Sequence, residues 1–437
     1  MGLVATNSIS QGDSRVVGLQ AICDNSGSIY RAVRSQPWPG EAATHISMVW
    51  IAREQIKGRP FVLDGKEVAA ISSGLGSQEF DNFEPFTLQE NSNLAFKGAT
   101  ILGSGFIISA TEANTLLQDV KYGAVVYRYL IGEDVNTDPK QRASRWVINF
   151  KDLPLDKTRS AELTAQDYPK ALTIVEERVK PDRINLKQNT SWNRGLKARW
   201  WQFGLWRPAL EHALRDRDRC LVISRVTAHH CFARVDTKGV VFSDRLVVIA
   251  NGEWSWFTIL SSGVHHTWAH RPGSTTQGTT LNYLSARSFL TFPRPRPSSE
   301  LEDRLSKIGS SYHDHRAALM VKRNEGMTKT YNRFHDSNET AEDIRRLREL
   351  HAAMDRAVLE AYGWRDLAAR AEPIFLDENN EDDHTYQERL FWPSDFRDEV
   401  LARLLALNAE RHADEVRLGI APGIKGKAGA DDEEELE

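Results

Sequence analysis

The spacing of hydrophobic and polar positions changes period along the 437 residues. In the first 71 residues apolar side chains come in short, β-branched runs. GLVATNSISQGDSR reads as a buried strand over residues 3–6 running into a polar loop, with no helix or cap before it. SIYRAV (28–33) and HISMVWIAR (45–53) read as strands parted by the turn-forming RSQPWPGEAA, and 61–71 as a hairpin around Asp64-Gly65. From Asn93 the texture changes. FKGATILGSGFIIS is strand-rich, TEANTLLQDV opens with Thr111 and Glu112 as a short helix, and SRWVINF is a strand ending at Phe150. Residues 167–179 hold a helix or a helix–strand junction. Strands follow near 220–226, 230–235 and 246–249, with Thr237-Lys238-Gly239 as a turn. NGEWSWFTILSSGVHHTWAHR has helical spacing, RPGSTTQGTTLNY reads as a flexible loop, and RSFLTFPRPRP as a strand with a proline stop. After Ser298 apolar residues recur at i, i+3, i+4 and i+7 in three long segments, 299–326, 340–364 and 398–420, each predicted helical. The last residues, GIKGKAGADDEEELE, read as a disordered acidic tail. The predicted class is α+β.

Charge sharpens this picture. From Asn338 onward the chain carries 26 acidic and 13 basic residues, so the first 337 carry 43 basic and 34 acidic. A basic body with an acidic end suits a polyanion binder, although solvated helices produce the same layout. The bases concentrate between Ile174 and Trp206. There Arg178, Lys180, Arg183, Lys187, Arg194, Lys197 and Arg199 interleave with Trp192, Trp200, Trp201, Phe203 and Trp206. Each phosphate neutralised by such cations releases condensed counterions. The competing reading is an ordinary buried strand and helix with a solvated basic face.

Searches for catalytic chemistry return little. There is no Walker-A loop, HExxH or GxSxG. Gly103-Ser104-Gly105 lacks the third glycine of a dinucleotide loop and reads as a tight turn. Cys23, Cys220 and Cys231 form no CxxC pair, which excludes a disulfide framework or zinc ribbon and fits a reducing cytoplasm. The doublets His229-His230 and His265-His266 read as core or surface histidines, because neighbours on a strand point to opposite faces. Asp152, Asp156, Glu162, Asp167, Glu176 and Glu177 have no partner spacing that marks a nuclease or an acid–base pair. No apolar run reaches membrane-spanning length and no basic region precedes an apolar one at the N-terminus, so no membrane contact is expected and the expected location is cytoplasmic.

Ten collinear segments carry a resemblance: VATNSISQGDSR, IYRAVRSQPWPGEA, YLIGEDVN, SRWVINF, IVEERVKPDR, WWQF, VFSDRLVVIA, LNYLSARSFLTFPRP, MTKTYNRFHD and MDRAVLEAYGW. In this order, from about residue 3 to about 419, the chain is similar to the C-terminal half of bacterial adenine-specific DNA methyltransferases of the MmeI-like, type IIG/IIL restriction-modification class. The resemblance implies the last strands of a Rossmann-like methyltransferase sheet (1–71), a strand-rich, DNA-binding target recognition domain (72–297) and a helical segment (298–420), before the tail (421–437). It also implies double-stranded DNA as partner and S-adenosylmethionine as cofactor of the complete enzyme. The FxGxG and NPPY/F segments of that family have no counterpart here, so this chain alone is expected to bind no cofactor and catalyse nothing. Under an alternative, a catalytic half on another chain completes a split adenine-N6 methyltransferase. A scaffold whose acidic tail binds a partner is the weaker third reading.

Within that frame Arg178, Lys180, Arg183, Arg194, Lys197 and Arg199 are the expected phosphate contacts. The loop 271–282, with Arg271, Gln277 and Asn282, is the expected reader of base edges, and Arg287 serves either role. Trp38, between Pro37 and Pro39, is the candidate wall of a flipped-base pocket, against the alternative that it only packs a turn. Trp200, Trp201 and Trp206 are expected to anchor the core.

Overall fold

The computed structural model describes all residues except 11, 40–44, 55, 57–59, 77–83, 158–161, 272–274, 278–279, 382, 384 and 423–437. Most of the expected tail and part of the loop 271–282 therefore lie outside the described residues.

The N-terminal strands build one five-stranded sheet in the order Gly2–Thr6, His45–Ala52, Ser28–Pro37, Phe61–Leu63, Lys66–Val68. All neighbours are antiparallel except Ser28–Pro37 with Phe61–Leu63. The expected hairpin is present. Asp64 (φ 48°) and Gly65 (φ 84°) are both left-handed, as a two-residue turn matched to strand twist requires. The Asp64 carboxylate accepts from the Arg34 backbone N–H and Nε, both at 2.7 Å, and so locks the turn to the neighbouring strand. Two expectations fail here. Gly2–Thr6 is an edge strand alternating between exposed and half-buried, with Val4 61% exposed, rather than a buried one. The expected polar loop is a run of helical turns from Asn7–Ser10 to Ala21–Asp24. Leu19 and Ile22, three residues apart, pack with Ile29, Val49, Ile51 and Leu63, and that burial outweighs the weak helix propensity of the serines and glycines.

Beyond Asn91 the chain is α+β. An antiparallel sheet runs Ala233–Asp236, Arg219–Ser224, Leu246–Ile249, Ala95–Lys97. A mixed sheet runs Val240–Phe242, Val126–Leu130, Arg145–Ile148, Ile107–Ile108, its first pair parallel. The predicted short helix is Ala110–Leu117, and it starts where Ser109 and Glu112 cap each other reciprocally. One core gathers Phe106, Val147, Phe150, Val175, Trp200, Trp201 and Phe203. A larger core joins Leu221, Val248, Phe257, Trp268 and Phe292 to Tyr312, Leu347, Trp392 and Leu404. That core is continuous across residue 297, where the resemblance puts a boundary.

The helices Ser299–Arg323, Glu342–Ala361 and Ser394–Arg417 occupy the three long periodic segments. The run 251–271 holds two helices, Trp254–Ser261 and Gly263–Ala269, because Ser262 is extended (φ −76°, ψ 159°) and its hydroxyl caps the His265 N–H. The segment 287–297, expected as a strand, instead begins inside a π-helical turn, Ser285–Phe289. The buried Asn91 amide explains this, since it donates to the carbonyls of Phe289 (3.1 Å), Leu290 (3.2 Å) and Phe292 (2.9 Å) and curls them around one point. At the crossing of Trp254–Ser261 with Ser299–Arg323, a Cβ on Gly309 would lie 2.1 Å from Thr258 Oγ1 and 2.9 Å from the Trp254 carbonyl. Gly309→Ala is expected to cost roughly 1–3 kcal/mol by overpacking this crossing. Urea midpoints check it, and a loss below about 0.5 kcal/mol would show that the helices part without strain.

Candidate nucleic-acid interface

The basic–aromatic stretch forms three short helices, Pro169–Arg178, Lys180–Ile184 and Ser191–Ala198, rather than a strand and a helix. Pro169 and Pro181 sit in first turns, where a missing N–H costs nothing, and the Thr190 hydroxyl caps the third helix through the Asn193 N–H at 3.1 Å. Their inner faces present Ala171, Val175 and Val179 to the smaller core. Trp200 and Trp201 are buried edge to face, and Trp201 Nε1 donates to the Leu153 carbonyl at 2.8 Å. These tryptophans anchor the core.

The cations divide by environment. Arg183 is only 3% exposed and donates to the carbonyls of Ile101 (3.2 Å) and Leu102 (2.9 Å). Burial lowers its pKa to about 10. This corrects the expectation for Arg183, whose guanidinium ties down the 101–102 backbone and does not face solvent. Arg178 pairs with Glu112, whose carboxyl falls to about 2 chiefly through that hydrogen bond. Lys180 lies 2.6 Å from Glu176 and 4.8 Å from the Trp200 ring. Lys187, Arg194, Lys197 and Arg199 have no ion-pair partner among the described residues, and no Asp or Glu occurs between Asp182 and Glu211. Arg194 donates only to the Gln188 carbonyl, at 3.1 Å. The unneutralised charge therefore sits on one short stretch, 187–199.

The expected base-reading residues rest on the other core. Arg271 donates to the carbonyls of Trp268 (2.9 Å) and Arg287 (2.6 Å) and lies 4.5 Å over the Trp268 ring, and burial lowers it to about 10. It fastens the turn to the preceding helix. Asn282 is half-buried in the strand Thr280–Asn282, opposite Val226, and Arg287 is half-buried. Gln277 ends the strand Thr275–Gln277, and its side chain lies outside what the structure describes. Trp38 is 44% exposed just beyond the strand Ser28–Pro37.

A groove of about 990 Å³ that the sequence did not announce opens between the mixed sheet and the helix Ser299–Arg323. Its arginines are largely engaged. Arg145 meets Glu133 at 3.2 Å, Arg219 meets Asp236 at 3.0 Å, and Arg128 lies 3.9 Å over Trp146. The alternation of arginine with aromatics in VYRYL and SRW was the signal available in the sequence.

Gly103-Ser104-Gly105 is a packing element. A Cβ on Gly105 would lie 2.6 Å from the Arg178 carbonyl, which leaves no cradle for a cofactor. The histidine doublets converge in the larger core. His230 stacks on His266 at 5.3 Å, His266 meets His270 at 4.2 Å, and His229 stacks on His335 at 5.3 Å. His265-His266 lies on a helix rather than a strand. Among the described residues, no group of three or more His, Cys, Asp or Glu could hold a metal ion. No described helix is long and apolar enough to cross a membrane.

No protein-family model and no curated protein matches this sequence. Among solved structures, the type IIL restriction-modification enzyme MmeI, determined in complex with DNA, is similar with a TM-score of 0.65 at 17% identity, over 94% of this chain and 50% of that one. The type IIG restriction endonuclease BpuSI aligns over 83% of this chain and 47% of its own, at 9% identity and a TM-score of 0.28, too low to carry an argument. The chain thus shares its α+β fold with MmeI and spans about half that enzyme's length.

Proposed function

We propose that this chain is a sequence-specific DNA-recognition module of the restriction-modification type. The observation that carries the reading is the fold shared with MmeI, solved bound to DNA, over 94% of the chain. Fold likeness alone does not transfer function, so the site must add to it. It does so through Lys187, Arg194, Lys197 and Arg199, cations without counter-charges among the described residues, which suit contacts to phosphate. Residues 1–71 then correspond to the end of a methyltransferase sheet, 72–297 to the target recognition domain and 298–420 to its helical support. Arg178 and Lys180 are contacts that must first exchange a carboxylate partner. Asn282, Gln277 and Arg287 are the proposed base-reading side, with Arg271 as their fastener. Trp38, exposed at a strand end, remains the proposed flipped-base wall. Adenine-N6 methylation belongs to the complete enzyme. The residues present here do not fit S-adenosylmethionine: no NPP tripeptide occurs, and the turn Gly103-Ser104-Gly105 is filled by packing.

The test is binding to a randomised duplex pool at two salt concentrations. Enrichment of one sequence is expected, with affinity falling steeply as salt rises. Lys197→Ala combined with Arg199→Ala is expected to lower the salt slope by about 2 while leaving the enriched sequence unchanged. Calorimetry with S-adenosylmethionine is expected to show no heat of binding. Failure to bind any duplex at roughly 50 mM salt would overturn the reading, and micromolar S-adenosylmethionine binding would overturn its cofactor half.

A further inference from the structure

A second cleft, of about 270 Å³, shares Lys238 and Val240 with the larger groove and runs along the strand Val240–Phe242 against the helix Pro208–Leu214. That volume falls just below the range of roughly 300–1,000 Å³ usual for small-ligand pockets. Its walls combine two aromatic rings with an apolar floor. Lys151 Nζ lies within reach of both rings, 5.5 Å from the Tyr127 centroid and 5.6 Å from that of Trp206, and pairs with Glu211. Arg207, Arg215 and Lys238 bring three more cations to the lining, Lys238 Nζ donating to the Arg215 carbonyl at 2.7 Å, while Glu211 is its one carboxylate. Lys151 has a left-handed backbone (φ 55°), held by the Asn149 side chain, which accepts from its N–H at 2.9 Å. A non-glycine residue keeps that conformation where its surroundings over-determine it, a condition that recurs at ligand sites.

We propose that this cleft binds one nucleotide unit, a planar amino-bearing base joined to a phosphate. Aromatic faces suit a base, because every base has a π-face. Glu211 accepts from Lys151 through Oε1, and its Oε2 is the atom that would accept from a base's exocyclic amine. The rim cations Arg215 and Lys238 then meet the phosphate. The unit comes either from a free nucleoside monophosphate or from an extruded nucleotide of the DNA in the function proposed above. The chemistry is shared, and the first source does not rest on that function.

The full chain is titrated calorimetrically with adenosine, cytidine and uridine monophosphates and with inorganic phosphate. In parallel, its affinity for a perfect duplex is compared with that for the same duplex bearing one extrahelical cytidine. Binding of the amino-bearing monophosphates, tighter than of the uridine nucleotide or phosphate, supports the free source. A preference of about tenfold for the extrahelical duplex supports the DNA source. Either signal must fall by about tenfold in Glu211→Gln and in Arg215→Ala combined with Lys238→Ala, whose exposed side chains leave the core intact. No monophosphate binding at millimolar concentration together with no extrahelical preference overturns the proposal, as does a signal these variants leave unchanged. Perfect-duplex binding would still stand in either case, which separates this failure from that of the recognition function.

Discussion

Lowering the pH from about 7.5 to 5.5 is expected to remove most of the protein's stability, with the loss beginning near 6.5, the ordinary histidine value. His230, His265, His266 and His270 are buried, and His335 is half-buried beside them. Burial lowers His230 to about 4 and pushes the others well below the usual histidine value, with the cation Arg389 adding to the shift of His266, His270 and His335. The folded protein holds these rings neutral, while the unfolded chain protonates them near pH 6.5. Stability is therefore complete above that pH and falls as pH drops toward the folded values. At one unit below, each group costs roughly 1 kcal/mol, so five together approach 5–7 kcal/mol, comparable to the whole stability of a typical domain. Carboxylates such as Glu112 and Asp366, both held near 2, withdraw their support only as pH falls from the ordinary carboxylate range toward 2, so they do not confuse this window.

Urea titrations at several pH values give the proton count directly. A flat stability profile between 7.5 and 5.5 would show that the histidine cluster is hydrated or already paired. His270 offers the cleanest control, because neither of its ring nitrogens has a hydrogen-bond partner among the described residues. His270→Met is expected to shallow the pH slope by about one proton. The cluster joins strands, the helix Gly263–Ala269 and the helix Met327–His335 in one core, so its protonation should unfold both together.

Arg397→Ala is expected to cost about 3–5 kcal/mol, the penalty for leaving a buried charge without its partner. Arg397 and Glu381 are both nearly inaccessible, at 6% and 3% exposure, with Nη1 2.7 Å from Oε2. Arg397 also donates to the Trp392 carbonyl at 2.8 Å and lies 3.7 Å over the Tyr386 ring. Removing the arginine alone strands the carboxylate and opens a void. Replacing both, as Arg397→Met with Glu381→Gln, is expected to recover most of the loss, because no uncompensated charge remains. A single-variant loss under about 1 kcal/mol would mean that water reaches Glu381 once the guanidinium is gone. The double-mutant cycle separates the pair's coupling from the packing lost with the arginine.

What the sequence determined by itself is local. Asp64-Gly65 specified its hairpin because only a few residue types accept two left-handed positions in succession. Ser109 and Glu112 specified a helix start through mutual capping, and the long helices after Ser298 declared themselves through sustained apolar periodicity. The basic–aromatic stretch was visible as composition, and so was the surplus of cations over counter-charges between residues 183 and 210. Which of those cations is spent inside the protein was not visible. Arg183 is fixed by carbonyls about 80 residues away, and the turn at Ser285–Phe289 by an amide about 200 residues away. Likewise, two histidine doublets some 35 residues apart gave no hint that tertiary packing would stack them in one core with His335. The tertiary structure decided these matters because burial and long-range hydrogen bonds set a side chain's charge, exposure and partners, and adjacency in the chain carries none of that information.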